Sequence, residues 1–254
     1  GLRRTARTTR NCRGVSNGAV FYNQAEDVRS LVHGDDFMIL GDSQAIEDMD
    51  RLLRSKYECK MTAVIGFGEH AQREALMLNR IIRCCLDENG VKSIEIEGDR
   101  RHADVIIQQL NLGAGKAVST PRVKEKDEDF ESYDEESSLS EKDKTLFRSL
   151  TMRGRYLSQD RPDIAETTKE LARYMQDPKS SDMERLKRLV RYLVGQPRVI
   201  YIFGWQDEPS TLDVFTDTDY AGCIATRRST SGGAAISGAN LVKHWSSTQP
   251  TVAL

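Results

Sequence analysis

Three groups of residues have the types and spacing to do chemistry. Asp35 and Asp36 are adjacent, directly behind Gly34 and flanked by apolar runs. Neighbouring carboxylates repel each other, a divalent cation relieves the repulsion, and hard oxygen ligands suit Mg²⁺. Centres that join nucleotides use such ions to activate a 3′-hydroxyl and to stabilise the leaving pyrophosphate. The competing reading is a plain turn, because Gly and Asp favour turns on conformational grounds alone. Asp217 and Asp219 lie two residues apart in Phe215-Thr216-Asp217-Thr218-Asp219-Tyr220-Ala221-Gly222. In an extended segment such residues share a face, which would hold one ion; a polar strand end leading into a turn is the alternative. Lys187, Arg188 and Arg191 form the third group, a cationic face on an amphipathic helix that either is simply solvated or meets a nucleic acid. His33, His70, His102 and His244 sit in unrelated settings, and no nucleophilic triad, phosphate loop or dinucleotide fingerprint is present.

The elements that must position these groups follow from periodicity. Val20–Tyr22, Val28–Val32 and Phe37–Leu40 read as strands, the last two forming a hairpin around His33-Gly34-Asp35-Asp36. Gly41-Asp42-Ser43 supplies a break and an N-cap. Ile46, Met49, Leu52 and Leu53 then give a helix to about Tyr57. Met77–Leu86 reads as one strand, Asn89-Gly90 as a turn, Val91–Ile96 as the return strand, and Ala103–Leu110 as a short helix. Pro162 opens a further helix. Another begins with a capping-box spacing at Ser181 and Glu184, carries the stripe Met183, Leu186, Leu189, Val190 and Leu193, and ends at Gly195 and Pro197. Val199–Phe203, Leu212–Phe215, Ala234–Ser237 and Leu241–Trp245 are predicted strands, expected to open a second α+β unit.

The 254 residues suffice for one large domain or two to three small ones. With 38% hydrophobic and 30% charged residues the composition is that of a slightly polar globular protein. No apolar run is long enough to span a membrane. Net charge is −2, so attraction to nucleic acid must come from a local basic surface. Gly1 to Arg13 holds five arginines and no acid, and residues 1–18 are expected to be a flexible basic end or an RNA-binding arm. Five cysteines in no metal-type spacing suit a reducing, intracellular compartment. Residues 124–144 hold ten acids against four lysines, too polar to offset their ordering entropy, and read as a linker.

The C-terminal third carries a resemblance. Phe147-Arg148-Ser149-Leu150, Arg155-Tyr156-Leu157, Arg161-Pro162-Asp163-Ile164-Ala165 and Leu186 to Leu193 occur in the order of the successive blocks of copia-type reverse transcriptases. Thr216 to Gly222 followed by Arg227-Arg228-Ser229-Thr230-Ser231-Gly232 is similar to that family's "TDxDWAG…RRSTSG" signature, with Tyr220 in place of Trp. Gln249 and Val252-Ala253-Leu254 fit the stretch before its "SSxEAE" segment. Val32-His33-Gly34-Asp35-Asp36 falls where the family has "YVDD", and Thr120-Pro121 resembles its usual "TP".

The resemblance implies an α+β chain from a retrotransposon Pol polyprotein: a basic segment 1–18, a partial reverse transcriptase palm and thumb 19–120, an acidic linker 121–145, a helical thumb or connection region 146–198, and the opening strands of an RNase H-like domain 199–254. It implies an RNA-directed DNA polymerase and an RNase H. RNA template, RNA–DNA hybrid and dNTP would be the partners, with Mg²⁺ as cofactor, in an intracellular setting and without a membrane. By carry-over Asp35 and Asp36 would be polymerase metal ligands and Asp217 the first RNase H carboxylate; the cationic helix face itself offers Lys187, Arg188 and Arg191 as nucleic-acid contacts. The family also needs an Asp well upstream of its "YVDD" box and the Glu of "SSxEAE". The chain, which lacks an initiator Met, is therefore expected to be cut at both ends and inactive by itself, with a non-catalytic nucleic-acid-binding remnant as the alternative.

Overall fold

The computed structural model describes residues 12–123, 137–223 and 226–252. Most of the basic N-terminal segment and of the acidic stretch lies outside those residues. The chain divides into two compact units, Gly1–Val64 and Ile65–Leu254.

The first unit is an antiparallel sheet with its strands in chain order: β1 (Cys12–Arg13), β2 (Val20–Asn23), β3 (Val28–His33) and β4 (Asp36–Leu40). β3 and β4 are joined by two residues, with His33 opposite Asp36. Gly34 leads this loop at φ +60°, the left-handed backbone that a type II′ hairpin requires at that position. Helix α1 (Ser43–Arg54) starts at Asp42, whose carboxylate accepts the Ala45 amide proton at 2.7 Å and satisfies one of the orphan donors of the first turn. The core of this unit is small. Among the described residues only Val28 and Ala45 are buried apolar side chains, whereas Phe37, Leu40, Leu52, Tyr57 and Met61 stay exposed.

The second unit has a helical core. Helices α2 (Arg101–Gln109), α3 (Glu141–Leu157), α4 (Pro162–Arg173) and α5 (Ser180–Gly195) bury one cluster that includes Ile106, Phe147, Leu150, Ile164, Leu171, Leu186 and Leu193. Gly154 lets α3 approach α4 closely; a Cβ there would stand 3.2 Å from Thr168. Around the helices lie two antiparallel sheets. One runs β5 (Glu74–Met77), β6 (Arg80–Leu86), β7 (Lys92–Glu97), β8 (Ile200–Gly204); the other is ordered β11 (Asn240–Val252), β10 (Arg228–Ser237), β9 (Leu212–Thr218). The architecture is α+β, as expected.

Several element boundaries differ from the sequence reading. Met77–Leu86 is not one strand: Leu78 and Asn79 both take positive φ (50° and 60°) and turn the chain between β5 and β6. A two-residue turn of that geometry usually contains Gly, and its absence hid the hairpin. Val199–Phe203 does not open the C-terminal meander, because β8 pairs with β7, Ile96 opposite Tyr201. α3 begins inside the stretch read as linker. The Ser140 hydroxyl accepts the Asp143 amide proton at 3.2 Å, and Glu141 and Asp143 suit the positive end of the helix dipole. At the start of α5 it is Asp182, not Glu184, that reaches back, accepting the Lys179 amide proton at 2.9 Å.

Two buried ionic groups tie these layers together. Glu97, 5% exposed, accepts from Arg198 at 2.5 and 2.8 Å and from Arg83 at 2.9 Å, joining the sheet to the segment that leads into β8. The Arg198 guanidinium, helped by Arg83, holds the Glu97 carboxyl below its ordinary range although burial pushes the other way. Arg161, 3% exposed, grips Asp163 with two hydrogen bonds of 2.9 and 2.7 Å and donates to the Gln196 carbonyl at 2.8 Å. Tyr192 donates its hydroxyl proton to the same Asp163 at 2.9 Å, clamping the start of α4 to the end of α5.

Tyr201 supplies a titration test of this arrangement. Burial, then the charges of Asp160 and Asp163, push its hydroxyl up to about 12. Folding favours the neutral phenol, so this contribution to stability is whole below the ordinary value of 10.0 and is lost as pH rises through about 12. A tyrosinate absorbance titration should show a late component that shrinks in Tyr201→Phe, the remainder belonging to Tyr192, whose hydroxyl burial and the Asp163 carboxylate also push up. A Tyr201→Phe profile identical to the parent would show that Tyr201 is not a late-titrating group.

Candidate functional site

In the first unit the two adjacent carboxylates diverge. Asp35 occupies the second loop position and rims a groove of about 840 Å³ between the sheet and α1, whose walls include Phe21, Val32, Phe37, Ile39 and Leu53. Asp36 is already the first residue of β4. Strand alternation places it with Met38 and Leu40, on the face opposite Phe37 and Ile39. Both acids are exposed. Phe37 and Tyr57 meet across the groove with ring centroids 6.2 Å apart.

In the second unit Asp217 lies near the end of β9, opposite Gly232 of β10. Its side chain accepts the Thr218 amide proton at 2.8 Å and is exposed. The Thr218 hydroxyl donates to the Thr230 carbonyl at 3.0 Å and accepts from Gln249 of β11 at 3.0 Å. Gln249 also donates to Ser231 at 2.8 Å, so one amide laces all three strands next to Asp217. Asp219 has a different task. Its carboxylate turns back to accept the Thr230 amide proton at 2.5 Å. Gly222 makes room for it, since a Cβ there would fall 2.0 Å from Asp219 Oδ2. The two acids therefore do not share a site.

The surrounding signature residues anchor the meander. Lys169 of α4 donates to the Thr230 hydroxyl at 2.9 Å, and Arg173 donates to Thr226 at 3.1 Å and to Cys223 Sγ at 2.6 Å. Ser229 accepts the Ala221 amide proton at 3.0 Å. Trp245 lies across Gly233, where a Cβ would stand 2.1 Å from the ring. Sequence reasoning missed Lys169 and Gln249 as anchors of the Asp217 strand. Both act over long sequence separations, and no periodic pattern marks them.

The cationic helix face is engaged within its own unit. Lys187 pairs with Glu184 at 2.6 Å. Arg188 donates to the Thr120 hydroxyl at 2.9 Å, so the Thr120-Pro121 segment runs along α5. Arg191, one turn beyond Lys187, is half-buried.

Magnesium, implied by the resemblance, takes carboxylate oxygens together with substrate phosphates. Among the described residues no group of three or more His, Cys, Asp or Glu side chains stands close enough to hold a metal ion. Asp35 has Asp36 pointing to the other face, and Asp217 has Asp219 committed to Thr230. The residues present do not fit a two-metal centre.

Comparison with known proteins decides the ancestry. Two retrovirus-related Pol polyproteins of Arabidopsis thaliana, from transposons RE1 and RE2, are each 29% identical to the chain, over 123 and 133 residues. The chain is homologous to copia-type Pol polyproteins. This Pol-related chain also shares 30% identity over 153 residues with an uncharacterized mitochondrial protein of the same plant. These alignments cover 48%, 52% and 60% of it, and span 8% and 9% of the two polyproteins and 60% of the mitochondrial protein. No family model and no solved structure matches it. No helix among the described residues is long and apolar enough to cross a membrane.

Proposed function

We propose that this chain derives from the reverse transcriptase–RNase H region of a retrotransposon Pol polyprotein and that its 254 residues are catalytically silent by themselves. In this reading Asp35 and Asp36 come from the polymerase carboxylate set and Asp217 from that of the RNase H. Residues 19–120 correspond to part of the palm and thumb, 146–198 to a helical connection, and the β9–β11 meander, without β8, to RNase H strands. The substrates of the ancestral enzyme are an RNA template, an RNA–DNA hybrid and dNTP. Lys187, Arg188 and Arg191 are the nucleic-acid contacts.

The observation that supports this best is the arrangement of the signature Thr216–Gly222 and Arg227–Gly232. In a chain homologous to Pol polyproteins, these blocks flank an antiparallel strand pair that presents Asp217 to solvent and uses Asp219 as a brace. Silence follows from the geometry: Asp36 points away from Asp35, Asp219 is committed to Thr230, and among the described residues no three ligands gather, whereas a two-metal mechanism depends on every carboxylate that places its ions.

A labelled RNA–DNA hybrid tests both halves of the proposal. The chain should bind it with an affinity that falls as salt rises, should lose part of that salt dependence in a Lys187→Ala/Arg188→Ala/Arg191→Ala variant, and should not cleave the RNA strand in Mg²⁺. Cleavage that disappears in Asp217→Asn would overturn the claim of silence. Absence of any hybrid binding at low salt would overturn the nucleic-acid half.

A further inference from the structure

The first unit exposes a strand edge whose chemistry fits itself. β4 pairs with β3 and, among the described residues, with no strand on its other side. In a two-residue hairpin the closing pair, here His33 and Asp36, exchanges both hydrogen bonds, and bonded pairs then alternate along the ladder. The register Val32↔Phe37, Leu31↔Met38, Ser30↔Ile39 therefore turns the N–H and C=O groups of Phe37 and Ile39 outward. A row of unpaired backbone groups on an apolar strand is a template for another strand, and proteins usually blunt such edges with charged side chains, Pro or a bulge. In Asp36-Phe37-Met38-Ile39-Leu40 the only such device is the charge of Asp36, at the end of the strand.

We infer that two copies of this chain associate through antiparallel pairing of β4 with β4, about a two-fold axis at Met38. In that register Phe37 of one copy faces Ile39 of the other, so the outward groups of each meet in bonded pairs, while Met38 faces its own counterpart. Asp36 falls opposite Leu40 and Asp35 opposite Gly41. No acid is set directly against another acid, and charge enters the contact only at its two ends. A two-fold contact of this kind is closed and yields a dimer rather than a fibre.

The groove gives the pairing more than backbone bonds. Phe37 and Ile39 line it, so the two grooves meet along the new strand pair as one apolar row. The unit has reason to seek that cover. Among its described residues only Val28 and Ala45 are buried apolar side chains, while Phe37 is 36% and Leu40 59% exposed. A five-residue strand is a small contact, so the association should be weak and concentration-dependent over the micromolar range. This inference is independent of the catalytic ancestry proposed above and can fail without it.

Sedimentation of the full chain across that range tests it, together with crosslinking. Met38→Cys should form a disulfide-linked dimer under mild oxidation, because directly opposed residues on antiparallel strands lie within disulfide reach. Leu31→Cys, one strand inward, should not. Ile39→Pro removes an outward donor and leaves the β3 ladder whole; it should keep the parent circular dichroism spectrum and remain monomeric. A parent that stays monomeric throughout that range would overturn the inference. So would a dimer that Ile39→Pro leaves intact, one dispersed instead by Val214→Lys on β9, or an open series of larger species.

Discussion

Asp163→Ala should destabilise the second unit by about 3 kcal/mol, the low end of the cost of removing one partner from a buried ion pair, because Arg161 is buried whereas Asp163 keeps 23% of its side chain exposed. Burial alone would raise the Asp163 carboxyl, yet the Arg161 guanidinium and the Tyr192 hydroxyl hold it below its ordinary range. Its charge is thus stabilised in place. The variant would leave Arg161, 3% exposed, with its charge opposed only by the Gln196 carbonyl. The Tyr192 hydroxyl would lose its acceptor at the same time. Asp163→Asn keeps the shape and one acceptor oxygen and should cost less, though it removes the charge. Chemical denaturation followed by helical circular dichroism measures all three proteins. Equal stability of Asp163→Ala and the parent would show that the clamp does not hold α4 to α5.

The depressed carboxyl value also sets a pH dependence. A carboxylate lowered by folding contributes stability that is present above its unfolded value, 3.8 for Asp163, and is lost as pH falls through the folded value. The difference in stability between the parent and Asp163→Ala should accordingly hold at neutral pH and shrink in acid below about 3.8.

Phe147→Ala should cost a similar amount, about 3–5 kcal/mol, because the fully buried ring leaves a cavity that its neighbours cannot close. Phe147 sits in the cluster with Leu150, Leu186 and Leu189, all fully buried. Against the ~5–15 kcal/mol typical of a folded domain, the loss is large enough to bring the melting transition of the second unit down by many degrees. Met152 lies on the same helix and is 53% exposed; Met152→Ala should stay within about 0.5 kcal/mol of the parent. If both variants melt alike, the helical cluster is not the core of the unit.

Legibility in the sequence tracked the range of the forces involved. The hairpin at Gly34 was readable because a turn and two apolar runs are local signals. The same holds for α4, opened by Pro162, and for the stripe of α5. The long strands β10 and β11 were shortened to their apolar cores, since the flanking Ser, Thr and Gly residues are held by cross-strand partners such as Gln249 and by Trp245 over Gly233. α3 is not legible as a helix because Thr151 and Gly154 interrupt its apolar stripe, Gly154 where Thr168 of α4 packs against it. The β7–β8 pairing joins residues about a hundred positions apart, and no local pattern announces it. At the candidate sites the sequence could name Asp217 and Asp219 together, but not that one is presented to solvent while the other braces a turn. That difference depends on Thr230 and on the space left by Gly222.

The most direct test of the account is primer extension by the purified chain on a primed RNA template with dNTP and Mg²⁺. The same preparation should first be shown to unfold cooperatively, so that silence is not misfolding. The account predicts no extension above that of an Asp35→Asn/Asp36→Asn variant. Extension by the parent that Asp35→Asn abolishes would contradict it, and would mean that Asp35 and Asp36 hold the ions although they point to different faces of the hairpin.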